Sequence, residues 1–111
     1  MALTGEASKS VYDLYEIDVR DALDHDPESE HAGELETSLM LHLTPELVRT
    51  DEVADFMPEG GALRRYTRRR VPKAPKKSRG VVGYPASATP EKGALIYRRY
   101  VDTLVAALAP A

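Results

Sequence analysis

The sequence predicts an α/β chain too sparse to close a core of its own, and three observations predict it. One segment near the N-terminus has strand composition, two later segments have helical periodicity, and between them lies a long basic stretch with no regular period. One strand and two amphipathic helices leave each element in need of a further layer. The chain of 111 residues is therefore expected to be a single partial domain, 1–111, with a long basic loop at 58–88.

The strand is read at Ser10–Ile17, where Val11, Tyr12, Tyr15 and Ile17 supply β-favouring side chains. A short helical turn follows at Val19–Leu23, then an acidic loop broken by Pro27. From Leu35 the spacing becomes helical: Leu35, Leu39 and Leu43 stack at i, i+4 and i+8, with Met40 beside them. Thr44 and Pro45 end that helix and can begin a short second one that buries Leu47 and Val48. Residues 49–88 read as irregular, with Gly80–Pro85 a brief extended piece. The last helix has the clearest start, with Thr89 as N-cap, Pro90 in the first position and Glu91 in the first turn. Ala94, Tyr97, Val101, Leu104, Val105 and Leu108 share one of its faces.

Composition narrows the function classes. With no cysteine there is neither a disulfide framework nor a thiolate metal site, so a metal would need His, Asp or Glu ligands. Short apolar runs and the absence of a basic-then-apolar leader predict a soluble cytoplasmic protein without membrane contact. The net charge of -3 conceals a polarity. Residues 1–63 hold 16 acids and 3 bases, whereas residues 64–111 hold 12 bases and 2 acids. Such halves attract each other within one fold or between subunits, or mark an anionic partner. The cluster Arg64, Arg65, Arg68, Arg69 and Arg70 is the candidate anion-binding site, within a stretch of nine bases at 64–79. Nucleic acid is disfavoured as the anion: Tyr66 alone could stack on bases there, and the acidic first half repels a polyanion.

The densest chemistry lies at His31-Ala32-Gly33-Glu34-Leu35-Glu36-Thr37-Ser38. A His beside a carboxylate can move protons near neutral pH. Carboxylates at a helix N-terminus are held ionised, as a metal or a cationic group requires. Neither His25 nor His42 stands at metal-ligand spacing from His31. The same residues also make an ordinary solvated helix start, so chemistry and capping remain open on spacing alone.

Residues 30–41 followed by Pro45-Glu46-Leu47-Val48 resemble the late motif of the creatininase (creatinine amidohydrolase) family. Gly80-Val81-Val82-Gly83-Tyr84-Pro85 with Ala88–Gly93 resembles that family's closing segment. The resemblance implies the C-terminal part of a three-layer αβα fold with a mainly parallel sheet, assembled as a hexamer. It further implies hydrolysis of a small amide, cyclic amide or formamide by water bridged between two divalent metals, zinc or manganese. On this resemblance His31 transfers protons, Glu36 contacts substrate, and Thr37 and Ser38 complete the substrate site. The family's earlier metal-ligand motifs do not occur in the sequence, so the metals are expected not to be held by this chain alone. The expected partner is an N-terminal half, or a separate chain, that carries those ligands. Two function classes follow: a portion or split subunit of a creatininase-type amidohydrolase, or a non-catalytic or degenerate module whose 64–79 loop binds an anion.

Overall fold

Thr89 has extended backbone, and its Oγ1 accepts a hydrogen bond from the Lys92 amide at 3.1 Å. Pro90 then fills the first helical position, where a missing N–H costs nothing. These two residues start α2, Pro90–Leu108, at the expected place. The structure, a computed structural model, describes residues 11–58 and 76–110. The other helix, α1, spans Glu34–Leu43. Arg64, Arg65, Arg68, Arg69 and Arg70 lie outside the described residues, as does most of the basic loop.

The two helices pack on each other, and Gly93 is the reason they can approach closely. A Cβ at Gly93 would collide with the Ser38 carbonyl group, which belongs to the backbone of α1 and cannot swing away. Ser38 is wholly buried at this crossing, and its Oγ accepts from the Thr89 amide at 3.3 Å. Around the contact, Val19, Leu35, Ile96 and Tyr100 form the core, with Ile17, Ala22, Leu23 and Leu39 against it. This core is small, as a chain of this length allows.

Among the described residues the expected three-layer sheet is not there. Val11–Ile17 forms no strand: the Asp13 carboxylate accepts from the Tyr15 amide at 2.9 Å and caps a 3-10 turn, Leu14–Glu16. A lone strand leaves its backbone groups unpaired, and a local cap satisfies them instead. Among the described residues the sheet-like contacts are two isolated antiparallel bridges, His31 with Val82 and Phe56 with Gly83. Among the described residues, two α-helices joined by 3-10 turns and irregular backbone therefore replace the mainly parallel α/β arrangement.

Two smaller expectations are also corrected. Pro45–Leu47 is the anticipated short helix, of 3-10 type, yet Leu47 is 70% exposed instead of buried. Thr44 does not cap it, because its Oγ1 bonds back to the Met40 carbonyl at 3.4 Å. The buried face of α2 is Gly93, Ile96 and Tyr100, whereas Tyr97, Val101, Val105 and Leu108 remain exposed. No helix among the described residues is long and apolar enough to cross a membrane.

Candidate functional site

His31 is fixed through its backbone. Its amide donates to the Val82 carbonyl at 2.7 Å and the Val82 amide returns a bond at 2.9 Å. The imidazole is exposed. Ala32, next in the chain, has φ of 52°, a left-handed conformation unusual for a residue with a Cβ. That turn aims its amide at Glu36 Oε2, 2.7 Å away. Glu36 Oε1 accepts from the Tyr15 hydroxyl at 2.7 Å. Both oxygens of Glu36 are thus engaged, and the carboxylate is held in one orientation although it is only partly buried.

The start of α1 depends on Glu30, which is buried. Glu30 Oε2 accepts from the Glu34 amide at 2.7 Å and from the Tyr84 amide at 3.2 Å. It does the work of an N-cap side chain from outside the helix, since Gly33 offers none. A Cβ at Gly33 or at Gly83 would strike the Glu30 carboxylate, so both glycines are needed for its close seat.

Glu34 is 1% exposed and multiply bonded. Its oxygens accept from the Asp24 amide (2.9 and 3.0 Å), from the His25 amide (2.9 Å) and from Lys92 Nζ (2.7 Å). Lys92 Nζ also donates to Asp24 Oδ2 at 3.0 Å and to the Ser87 carbonyl at 2.7 Å, which uses its three donors. The hydrogen bond to Glu34, then that to Asp24, raises the Lys92 pKa above its ordinary value against the opposing effect of burial. Above Lys92, His25 stacks on Tyr84 at 4.0 Å between ring centroids, with Nε2 3.2 Å from Ser87 Oγ.

The sequence reading missed this network, but a signal for it was present. A lysine in the first turn of a helix opposes the helix dipole. Such a residue needs a nearby anion, and α1 contributes Glu34.

A second electrostatic cluster ties the N-terminal segment to α2. Arg99 forms a two-point ion pair with Asp21 and also bonds the Asp18 carbonyl at 3.2 Å. The hydrogen bond from Arg99 lowers the Asp21 pKa. Asp18 is lowered further, to about 2, chiefly by side-chain and backbone hydrogen bonds from Arg20.

The predicted site residues are placed as follows. Glu36 and Thr37 line a cleft of about 530 Å3, with Ala32 at its edge. Its walls include Met40, Val48, Val53, Phe56 and Val81. His31 lies next to Ala32 in the chain but is not part of the cleft wall. Ser38, wholly buried at the helix crossing, has no surface to offer a substrate. Among the described residues no three His, Asp or Glu side chains gather to hold a metal ion. Glu34 and the Oε2 of Glu30 instead accept from backbone amides, with Lys92 as the counter-charge of Glu34. The described residues therefore do not fit a divalent metal centre.

Comparison with known proteins agrees with the motifs. No solved structure matches the chain. A mycofactocin precursor peptide peptidase from Mycobacterium ulcerans (strain Agy99) is 37% identical over 79 residues, which is 71% of this chain and 32% of the relative. The chain thus spans about a third of the length of the curated relative it matches. The family model described as creatininase, creatinine amidohydrolase, matches residues 5–108. With nearly its whole length accounted for by that match, the chain belongs to the creatininase family.

Proposed function

We propose that this chain forms part of a creatininase-type amide hydrolase, supplying His31 and Glu36 to an active site completed by other polypeptide. The observation that carries the reading is the seating of Glu36. A carboxylate bound by the Tyr15 hydroxyl and the Ala32 amide, in the wall of a cleft, has a fixed orientation toward whatever enters. Such preorganisation is what a substrate-contacting group requires. Glu36 would accept a hydrogen bond from the N–H of a bound amide. His31, exposed and anchored through its backbone, would take up or deliver a proton during the reaction. Thr37 would add a polar contact from the cleft wall.

The divalent metals that family membership implies, zinc or manganese, are assigned in this reading to ligands of an N-terminal half or a separate chain, not to this chain alone. A partner chain carrying the ligands, and a higher homo-oligomer, belong to the same proposal. The relative's name describes a peptidase acting on a precursor peptide, which favours a peptide amide over a small cyclic amide as the substrate class to test first.

The test is complementation. The chain is mixed with a polypeptide bearing the family's metal-ligand motifs, with zinc or manganese supplied. Turnover is then followed on a peptide, a formamide and a cyclic amide. His31→Ala and Glu36→Gln should each lower turnover by about a hundredfold or more while leaving the fold intact. Full turnover in both variants, or none in the complemented wild type on any of the three amides, would overturn the reading.

A further inference from the structure

The cleft beside Glu36 and Thr37 has a basic end that the proposed chemistry does not use. Arg49, Lys77 and Arg79 line it together with the apolar Val48, Val53 and Phe56, and Lys77 Nζ lies over the Phe56 ring at 5.8 Å from its centroid. Arg79 is presented by a stiff turn. Its amide bonds the Lys76 carbonyl at 3.1 Å, Ser78 is buried, and Ser78 Oγ accepts from the Gly80 amide at 3.2 Å. Arg79 itself has φ of 53°. Among the described residues it and Ala32 are the non-glycine residues with positive φ, and both border this one cleft. Backbone held in an unfavourable region marks places where the fold fixes a side chain's position at a cost, and such places cluster at ligand sites.

The charges around the cleft are unequally committed. Glu36 is engaged on both oxygens, and Asp55 Oδ1 accepts from the Ala86 amide at 2.8 Å. Among the described residues Glu52 is the carboxylate within ion-pair distance of the two guanidiniums, 3.6 Å from Arg49 and 3.8 Å from Arg79. Those separations allow attraction but exceed hydrogen-bond range, about 2.7–3.2 Å. Among the described residues neither guanidinium therefore spends its forked donors on a close partner, and the fork matches an oxyanion. The volume, about 530 Å3, also suits a ligand well beyond a single small ring.

From this geometry we infer that the cleft binds an amide with an apolar body and an oxyanion, a carboxylate or a phosphate, which Arg49 and Arg79 receive. The inference rests on the hydrolase reading for its amide but on the cleft alone for its oxyanion. Glu52 attracts both guanidiniums weakly, since their side chains are 83% and 71% exposed, and competes with the ligand for them.

Binding to the full chain, followed by calorimetry and chemical-shift changes, tests this without requiring turnover. The probes are N-acetyl-leucyl-phenylalanine, its C-terminal amide, and phenyl phosphate. The free acid should bind at least about tenfold more tightly than the amide, a difference of about 1.4 kcal/mol. Arg79→Gly should abolish that preference. Glycine accepts positive φ more readily than arginine does, so this loss cannot be ascribed to a damaged fold. Glu52→Gln should widen the preference by removing the competing carboxylate. Displacement of the acid by phenyl phosphate would extend the site to oxyanions in general, and failure to displace it would restrict the site to carboxylates. Both results support the inference. Equal binding of acid and amide (including no binding of either), or a preference that survives Arg79→Gly, would overturn it. Preference for the acid without turnover in the complemented enzyme would defeat the hydrolase reading and leave this inference standing. Turnover without the preference would do the reverse.

Discussion

Lys92 and Glu34 form the ion pair whose removal should cost most. Glu34 is 1% exposed, and its charge is balanced by one ammonium together with two backbone amides. Lys92→Met leaves that carboxylate buried with no cation beside it, and should destabilise the chain by about 3–5 kcal/mol in denaturant unfolding. A loss under about 1 kcal/mol would mean that the backbone amides suffice. The pH dependence follows from the direction of each shift. The Lys92 pKa is raised, so its contribution is complete below 10.5 and fades only as pH climbs past that value. Asp18 is lowered from 3.8 to about 2, so its contribution is present above 3.8 and is lost as pH falls through about 2. Arg20→Gln should return the Asp18 titration toward 3.8, which carboxyl NMR can follow, because the Arg20 side-chain bond is the largest cause of the shift. An Asp18 that still titrates near 2 would assign the shift to the backbone instead. Neither group titrates between these limits, so their contributions are flat across neutral pH.

At the scale of elements, α2 separates what the sequence revealed from what it hid. Its start was legible because capping is local chemistry: Thr89, Pro90 and Glu91 specify it within one turn. Its buried face was not legible, because the helix carries apolar residues on two faces and only the partner decides which is covered. Gly93 is what brings Ser38 close, and so Ile96 and Tyr100 become core while Val105 and Leu108 stay in water. Ile96→Ala should then cost about 2–5 kcal/mol, whereas Val105→Ala should stay within about 0.5 kcal/mol. Equal costs would mean that α2 is rotated relative to this packing. The strand at Val11–Ile17 failed for a related reason. β-branched and aromatic residues state a preference, but a strand exists only where a neighbour pairs with it, and Asp13 supplied a local alternative. Within the site, His31 and Glu36 stood out through motif resemblance. Tyr15 and Lys92, which hold Glu36 and Glu34, were hidden because their partners lie 21 and 58 residues away.

For the whole molecule, the charge polarity has a structural meaning. Among the described residues, the ion pairs that span the chain join an acid of the first half to a base of the second: Asp24 and Glu34 to Lys92, Asp21 to Arg99, and Glu52 to Arg79. These pairs draw the halves together within one fold, which is one of the meanings the sequence allowed. These pairs differ in burial, and burial decides how salt acts on them. Around Arg99 and Asp21 water and ions have access, so screening should weaken the pair as the Debye length contracts from about 30 Å at about 0.01 M to about 3 Å at about 1 M. Glu34 is shielded from ions by the protein around it. The melting temperature of Arg99→Gln should accordingly fall below that of the wild type in dilute buffer and rejoin it in molar salt. The deficit of Lys92→Met should persist across the same range. Thermal melts of the three chains at several sodium chloride concentrations decide the matter. If both deficits vanish together, the Lys92 network is as open to solvent as the surface pairs, and the polarity acts only as a diffuse attraction. If only the Arg99 deficit closes, the long-range charge pattern guides the halves together and the buried lysine locks them.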